Sequence, residues 1–199
     1  MLSSAQSTTR FNHARNAALI ALMMEIAEIE QCTSEALTRS TMSRDDGSHP
    51  ATVRLIEQLE FLHAHHARIL RHHAGELEKS AALNPRNQAA NTEAPALGTK
   101  REPIGEIVFA YVRLNLLAAR YTQLHALGIA FEQDAVAGLS LRHLRALTPK
   151  IMECSQAIPL LATTLPADQF GPISADCGQL ALQATQAAWR NETDFPGSS

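Results

Sequence analysis

The sequence predicts an all-α protein: an up-down bundle of four long amphipathic helices, with a long linker between the second and third and a short helix near the C-terminal end. Three observations predict it. Apolar residues recur every three or four positions along four separate stretches, which is the period of one helix face. Aromatic residues make up only 5% of a chain that is 45% hydrophobic. The core must therefore be built from Leu, Ile, Ala and Met, and Ala and Leu favour helix where sheets favour aromatic and β-branched side chains. A length of 199 residues suits one medium domain with a tail.

The elements follow in order. Residues 1–11 are rich in Ser and Thr and read as loose. The first helix runs from Asn12 to Leu37, with Leu19, Leu22, Ile26, Ile29, Thr33 and Leu37 on one face. A turn-rich connection over 39–50 ends at Pro50, which suits the first position of a helix because its missing N–H has no partner there anyway. The second helix runs to about Glu78, on a heptad stripe of Val53, Ile56, Glu60, His63, Ala67, Leu70, Ala74 and Leu77. Residues 80–102, with Pro85, Pro95 and many Ala and Asn residues, read as a flexible linker; a connection this long inside a bundle is unusual.

The third helix runs from Pro103 to about Phe131 on the face of Ile104, Ile107, Tyr111, Leu114, Ala118, Tyr121, His125 and Gly128. The fourth begins near Asp134, a residue type that caps helix starts. Its stripe is Ala137, Ser140, Leu144, Leu147, Ile151, Cys154, Ile158, Leu161 and Leu165. Pro149 either opens a fresh helix capped by Thr148 or kinks one long rod. The hydrophobic phase survives across it, which favours the rod. Pro166 ends the element, so the bundle domain spans 12–165 and a tail spans 166–199. That tail carries a short helix from about Asp176 to Trp189, and Trp189, the single Trp, is the residue expected to dock it.

Composition narrows the function classes to expect. Net charge is −3, from 17 basic and 20 acidic side chains, so no global field attracts a nucleic acid. No apolar stretch approaches twenty residues, so no membrane span is expected. Cys32, Cys154 and Cys177 lie far apart and odd in number, which fits free thiols in a reducing, cytoplasmic compartment.

The informative residues are ionisable side chains on apolar faces. His63 and His66 straddle the face of helix two, His125 lies on the face of helix three, and His143 lies beside the stripe of helix four. With helix directions alternating, His63, His125 and His143 fall within about one turn of the same depth. Glu25 borders the face of helix one near that level, and Glu60 precedes His63 by three positions. Glu60-x-x-His63 places a carboxylate and an imidazole on one side of a helix, the spacing that helical di-iron and di-manganese sites use twice, together with one Glu from each of two further helices. Glu25, Glu60, His63, His125 and His143 are thus the candidate metal ligands. Ser140 stands three positions before His143, so the second carboxylate–imidazole pair is incomplete.

This layout resembles the ferritin-like superfamily over residues 12–165: four long helices, a long connection after the second, and Glu60 with His63. Its metal-binding members carry Glu on helix one, Glu-x-x-His on helix two, and the same set on helices three and four. The resemblance implies iron or manganese and redox activity where the set is whole; here Glu60 and His63 match, with Glu25 as a third. Two functions follow as expectations. The first is a non-enzymatic cytoplasmic bundle, without cofactor, that acts by self-association as a homodimer or by binding a protein partner. The second is a metal-binding bundle with redox activity.

Overall fold

The computed structural model describes residues 4–42, 50–80, 103–163, 174 and 176–190. Every element among them is an α-helix: α1 (Ser4–Met42), α2 (Pro50–Ser80), α3 (Pro103–Ala130), α4 (Asp134–Ala162) and α5 (Cys177–Trp189). Helix α1 starts eight residues before the expected Asn12. The 80–102 linker lies almost entirely outside the described residues, as does the side chain of Trp189.

The stripe marked out by spacing is buried in full on α1 and in part on the other long helices, where Val53, Tyr111, Leu144 and Ile151 are half-buried. On α1, Leu19, Leu22, Ile26, Ile29, Thr33 and Leu37 are all buried, and Ile56, Leu59, Leu70, Leu114, Leu117 and Leu147 join them in one core. Burying each such aliphatic side chain contributes roughly 1.5–3 kcal/mol. Helix α4 is continuous through Pro149 and Pro159. The ring of Pro149 stands on the exposed side of the helix.

Contacts between named residues give the helix directions. Ser34 bonds to the backbone of Glu60, whereas Gln31, three residues earlier, meets Arg71, so α1 and α2 are antiparallel. Asn16 meets Gln133 and Thr33 meets Arg113, so α1 and α3 are antiparallel too. His125 bonds to Ala137 and Tyr121 to His143, which makes α3 and α4 antiparallel. Helices α2 and α3 therefore run in the same direction, and the order is up-down-down-up rather than the strict alternation expected from the sequence. The end of α2 and the start of α3 lie at opposite ends of the bundle. A short turn cannot join parallel neighbours, which is a physical reason for a connection as long as 81–102.

The turn between α3 and α4 is tight. Glu132 adopts φ 59°, and the N–H groups of Glu132 and Gln133 bond back to Ile129 and Gly128 at 3.1 and 2.8 Å. This closes α3 as a Schellman motif with Glu in the left-handed position usually held by Gly. Gly128 lets the helices meet just before it: a Cβ there would lie 2.8 Å from the backbone nitrogen of Ala137. Helix α5 rests on the end of α4 through another glycine. A Cβ on Gly178 would meet the Thr163 hydroxyl at 2.7 Å and the Leu160 Cα at 3.3 Å.

Candidate functional site

The centre of the bundle holds a polar cluster in place of aliphatic packing. Glu30 on α1 and His63 on α2 are completely buried, as is Tyr121 on α3, and His66 and His143 are nearly so. Helix periodicity brings them together. Glu30 occupies the middle of a strict heptad, Leu19, Met23, Ile26, Glu30, Thr33 and Leu37, each member of which is buried. His63 and His66 are three apart on α2 and so share one face. Tyr121 and His143 sit at the same level on the other two helices.

Glu30 is the hub. His63 Nδ1–H donates to Oε2, His66 Nδ1–H donates to Oε1 at 3.2 Å, and the Tyr121 hydroxyl donates to Oε1 at 2.7 Å. The Tyr121 oxygen in turn accepts from His143 Nδ1–H at 2.9 Å. The His66 and His143 rings stack with centroids 3.9 Å apart and planes within 3°. An ionised carboxylate only accepts, so each ring nitrogen facing it carries hydrogen. The ring nitrogens facing Glu30 and the Tyr121 oxygen are thus Nδ1–H groups, and all three imidazoles turn Nε2 away from the carboxylate. His63 Nε2 is buried and has no hydrogen-bond partner among the described residues.

The electrostatics follow from this arrangement. Burial works to raise the Glu30 pKa, but hydrogen bonds and charge from His63 and His66 overcome it and hold the carboxyl at about 2. Burial lowers His143, and the neighbouring His66 lowers it further, to about 3. Burial and the Glu30 carboxylate raise Tyr121 well above its ordinary value. At neutral pH the cluster is one carboxylate, a neutral phenol and, at His143, a neutral imidazole.

Of the expected ligands, the structure brings together His63 and His143 only. Glu25 lies five residues before Glu30, about 140° around the helix, and pairs with Arg120 at 2.6 Å. His125 Nδ1–H donates to the Ala137 carbonyl at 2.9 Å and so anchors the first turn of α4. Glu60 is half-buried and its backbone carbonyl accepts from Ser34; the cluster's hydrogen bonds run to Glu30 instead. Glu30, His66 and Tyr121 complete a set that the expected ligands do not contain. Cys154 is a buried thiol pushed up to about 12 by burial, outside this cluster.

All four long helices contribute at this level. Glu30 stands on the first helix, His63-x-x-His66 on the second, Tyr121 on the third and Ser140-x-x-His143 on the fourth. A dinuclear site of the expected kind uses four carboxylates, and among the described residues this cluster contains one, Glu30. One carboxylate does not balance two divalent cations. Among the described residues, no three His, Cys, Asp or Glu side chains are grouped to hold a metal ion. The residues present do not fit a di-iron or di-manganese centre. No family model matches the sequence, and no curated protein does. Among the described residues, no helix is long and apolar enough to cross a membrane.

Proposed function

We propose that this chain is a non-enzymatic helical-bundle protein that acts through its surface, by associating with itself or with a protein partner, while the Glu30 cluster fixes the helices in register. One observation supports this most directly. The only carboxylate in the cluster is fully buried and already accepts from three donors on two helices, α2 and α3. Three of its roughly four acceptor sites are taken up within the bundle, and a substrate has no exposed face of it to touch. Such a network links four helices through one charge and penalises any shift that separates a donor from it. In this reading the ferritin-like layout persists as a scaffold.

Elemental analysis of protein purified without added metal or an affinity tag of histidines tests the reading. The expected result is less than about a tenth of an equivalent of iron, manganese or zinc. One specific observation favours a second reading, in which the cluster holds a single transition-metal ion: His63 Nε2, buried and without a hydrogen-bond partner among the described residues, has the imidazole donor chemistry such ions prefer. A stoichiometric metal that disappears in His63→Ala would install that reading and overturn the first.

A further inference from the structure

We infer that the outward stripe of α2 from Arg54 to His72 docks an acidic amphipathic helix of a protein partner. The inference rests on the association reading above and names its surface and the chemistry of the partner.

Arg54, Gln58, Phe61, His65, Arg68 and His72 recur at spacings of four and three, which lays them along one side of α2. His65 is half-buried and the other five are exposed. The buried stripe through His63, His66 and Leu70 takes the opposite side. No acid stands among the six. Glu57 lies about 60° round the helix from their midline, and Glu76, beyond their end, is held by Lys79 at 2.8 Å.

The two arginines of the stripe lack counter-ions. Elsewhere in the bundle Arg120 pairs with Glu25 and Lys150 with Glu153. Among the described residues, no carboxylate pairs with Arg54 or Arg68. Arg68 donates instead to His65 Nδ1 at 3.3 Å. His65 stacks on Phe61, with centroids 6.0 Å apart and planes within 7°. Phe61 is 73% exposed, so a large apolar ring stands in water midway between two unpaired guanidinium groups. Helix α4 adds to the positive field at the far end: burial, His72 and Arg142 together lower the His73 pKa.

The spacing points to the partner. Arg54 and Arg68 each stand seven residues from Phe61, about 10.5 Å along the axis. A partner helix with an apolar residue, and a carboxylate two turns to either side of it, meets all three at once. The ring then serves as the apolar anchor and the flanking charges fix the register. A nucleic acid presents a phosphate at every nucleotide, a denser run of charge than two arginines about 21 Å apart can match.

Fluorescence anisotropy of a labelled, capped peptide built of repeating Glu-Ala-Ala-Leu-Glu-Ala-Ala units, titrated with the full chain at low salt, tests this. Circular dichroism confirms that each variant keeps its helix content. The expected result is saturable binding that Phe61→Ala and Arg68→Glu each weaken about tenfold or more. Arg39→Glu, which makes the same charge change at an exposed site on α1, leaves it intact. Equal losses in Arg39→Glu and Arg68→Glu would show general charge attraction and overturn the stripe, as would binding that Phe61→Ala leaves unchanged. An oligothymidylate of equal length that binds more tightly than the peptide gives the surface to a nucleic acid. A dimer of the chain alone that Arg68→Glu dissolves gives it to a second copy, and either outcome overturns the partner named here. No binding at about 100 µM chain overturns the docking surface, while the elemental analysis still judges the buried centre on its own.

Discussion

Helices α1 and α2 bring a carboxylate and two imidazoles to the centre of the bundle. Helices α3 and α4, at the matching positions, bring a phenol, a hydroxyl and one imidazole. The first half holds the acceptor, and the second relays donors toward it through His143, Tyr121 and Glu30. Two carboxylates at this spot would repel at low dielectric, and one would take up a proton. With a single carboxylate and a phenol opposite it, every interaction at the hub is a donor meeting one acceptor. The difference between the halves teaches that this core is built around one ion, and it predicts unequal sensitivity to substitution.

The largest effect is expected at the hub. Glu30→Leu strands the Nδ1–H groups of His63 and His66 and the Tyr121 hydroxyl in the core, a loss of roughly 3–5 kcal/mol. Urea unfolding with far-ultraviolet dichroism measures it, and a loss below about 1 kcal/mol would mean that the network does not organise the fold.

Acid is the next probe. The folded pKa of His143 lies below its ordinary 6.5, so the unfolded chain binds the extra proton first, and stability falls as pH drops from 6.5 toward 3. Glu30 adds to this loss from 4.5 down toward 2, because its folded pKa is also depressed. From pH 7 to 4.5 the His143 part alone is roughly 2–3 kcal/mol. Urea titrations at the two pH values should show this loss in the wild type and lack it in His143→Gln; equal acid sensitivity in the two proteins would contradict the assignment.

Tyr121→Phe removes the relay and leaves His143 Nδ1–H without its acceptor. It should cost about 1–3 kcal/mol, with the helix content unchanged. The smallest effect belongs to the position that matches His63 in the other half. Among the described residues Ser140 bonds to the Val136 carbonyl of its own helix alone, at 2.8 Å, so Ser140→Ala should change stability by less than about 1 kcal/mol. A Ser140→Ala loss as large as that of Tyr121→Phe would show that the second half carries more of the network than its hydrogen bonds indicate.

Much of this arrangement was legible residue by residue. The face of α1 followed from spacing, as did part of the face of α4 and the placement of His63, His66 and His143 toward the core. Glu30 was hidden beside Ile29, because two neighbouring stripes fit the apolar residues of α1 equally well. The strict heptad through Met23, Ile26 and Thr33 carries Glu30 at its centre, and that is the signal by which the sequence could have shown it. Tyr121 lay on a marked face but read as plain core, since nothing local distinguishes a packed phenol from one that donates to a carboxylate. Glu25 and Glu60 share a border with the same faces, and only the rotation of each helix decides which acid turns inward.

The sequence by itself determined the helices, their ends to within a few residues in most cases, and the side that each one hides, because these follow from a period of 3.6 residues and from local turn chemistry. Helix direction, the parallel course of α2 and α3, and the meeting of Glu30 with His63, His66 and Tyr121 were decided only in the tertiary structure. An apolar stripe reads the same whichever way its helix points. A buried charge is settled by the donors that neighbouring helices bring to it, and those donors lie from 33 to 91 residues away along the chain.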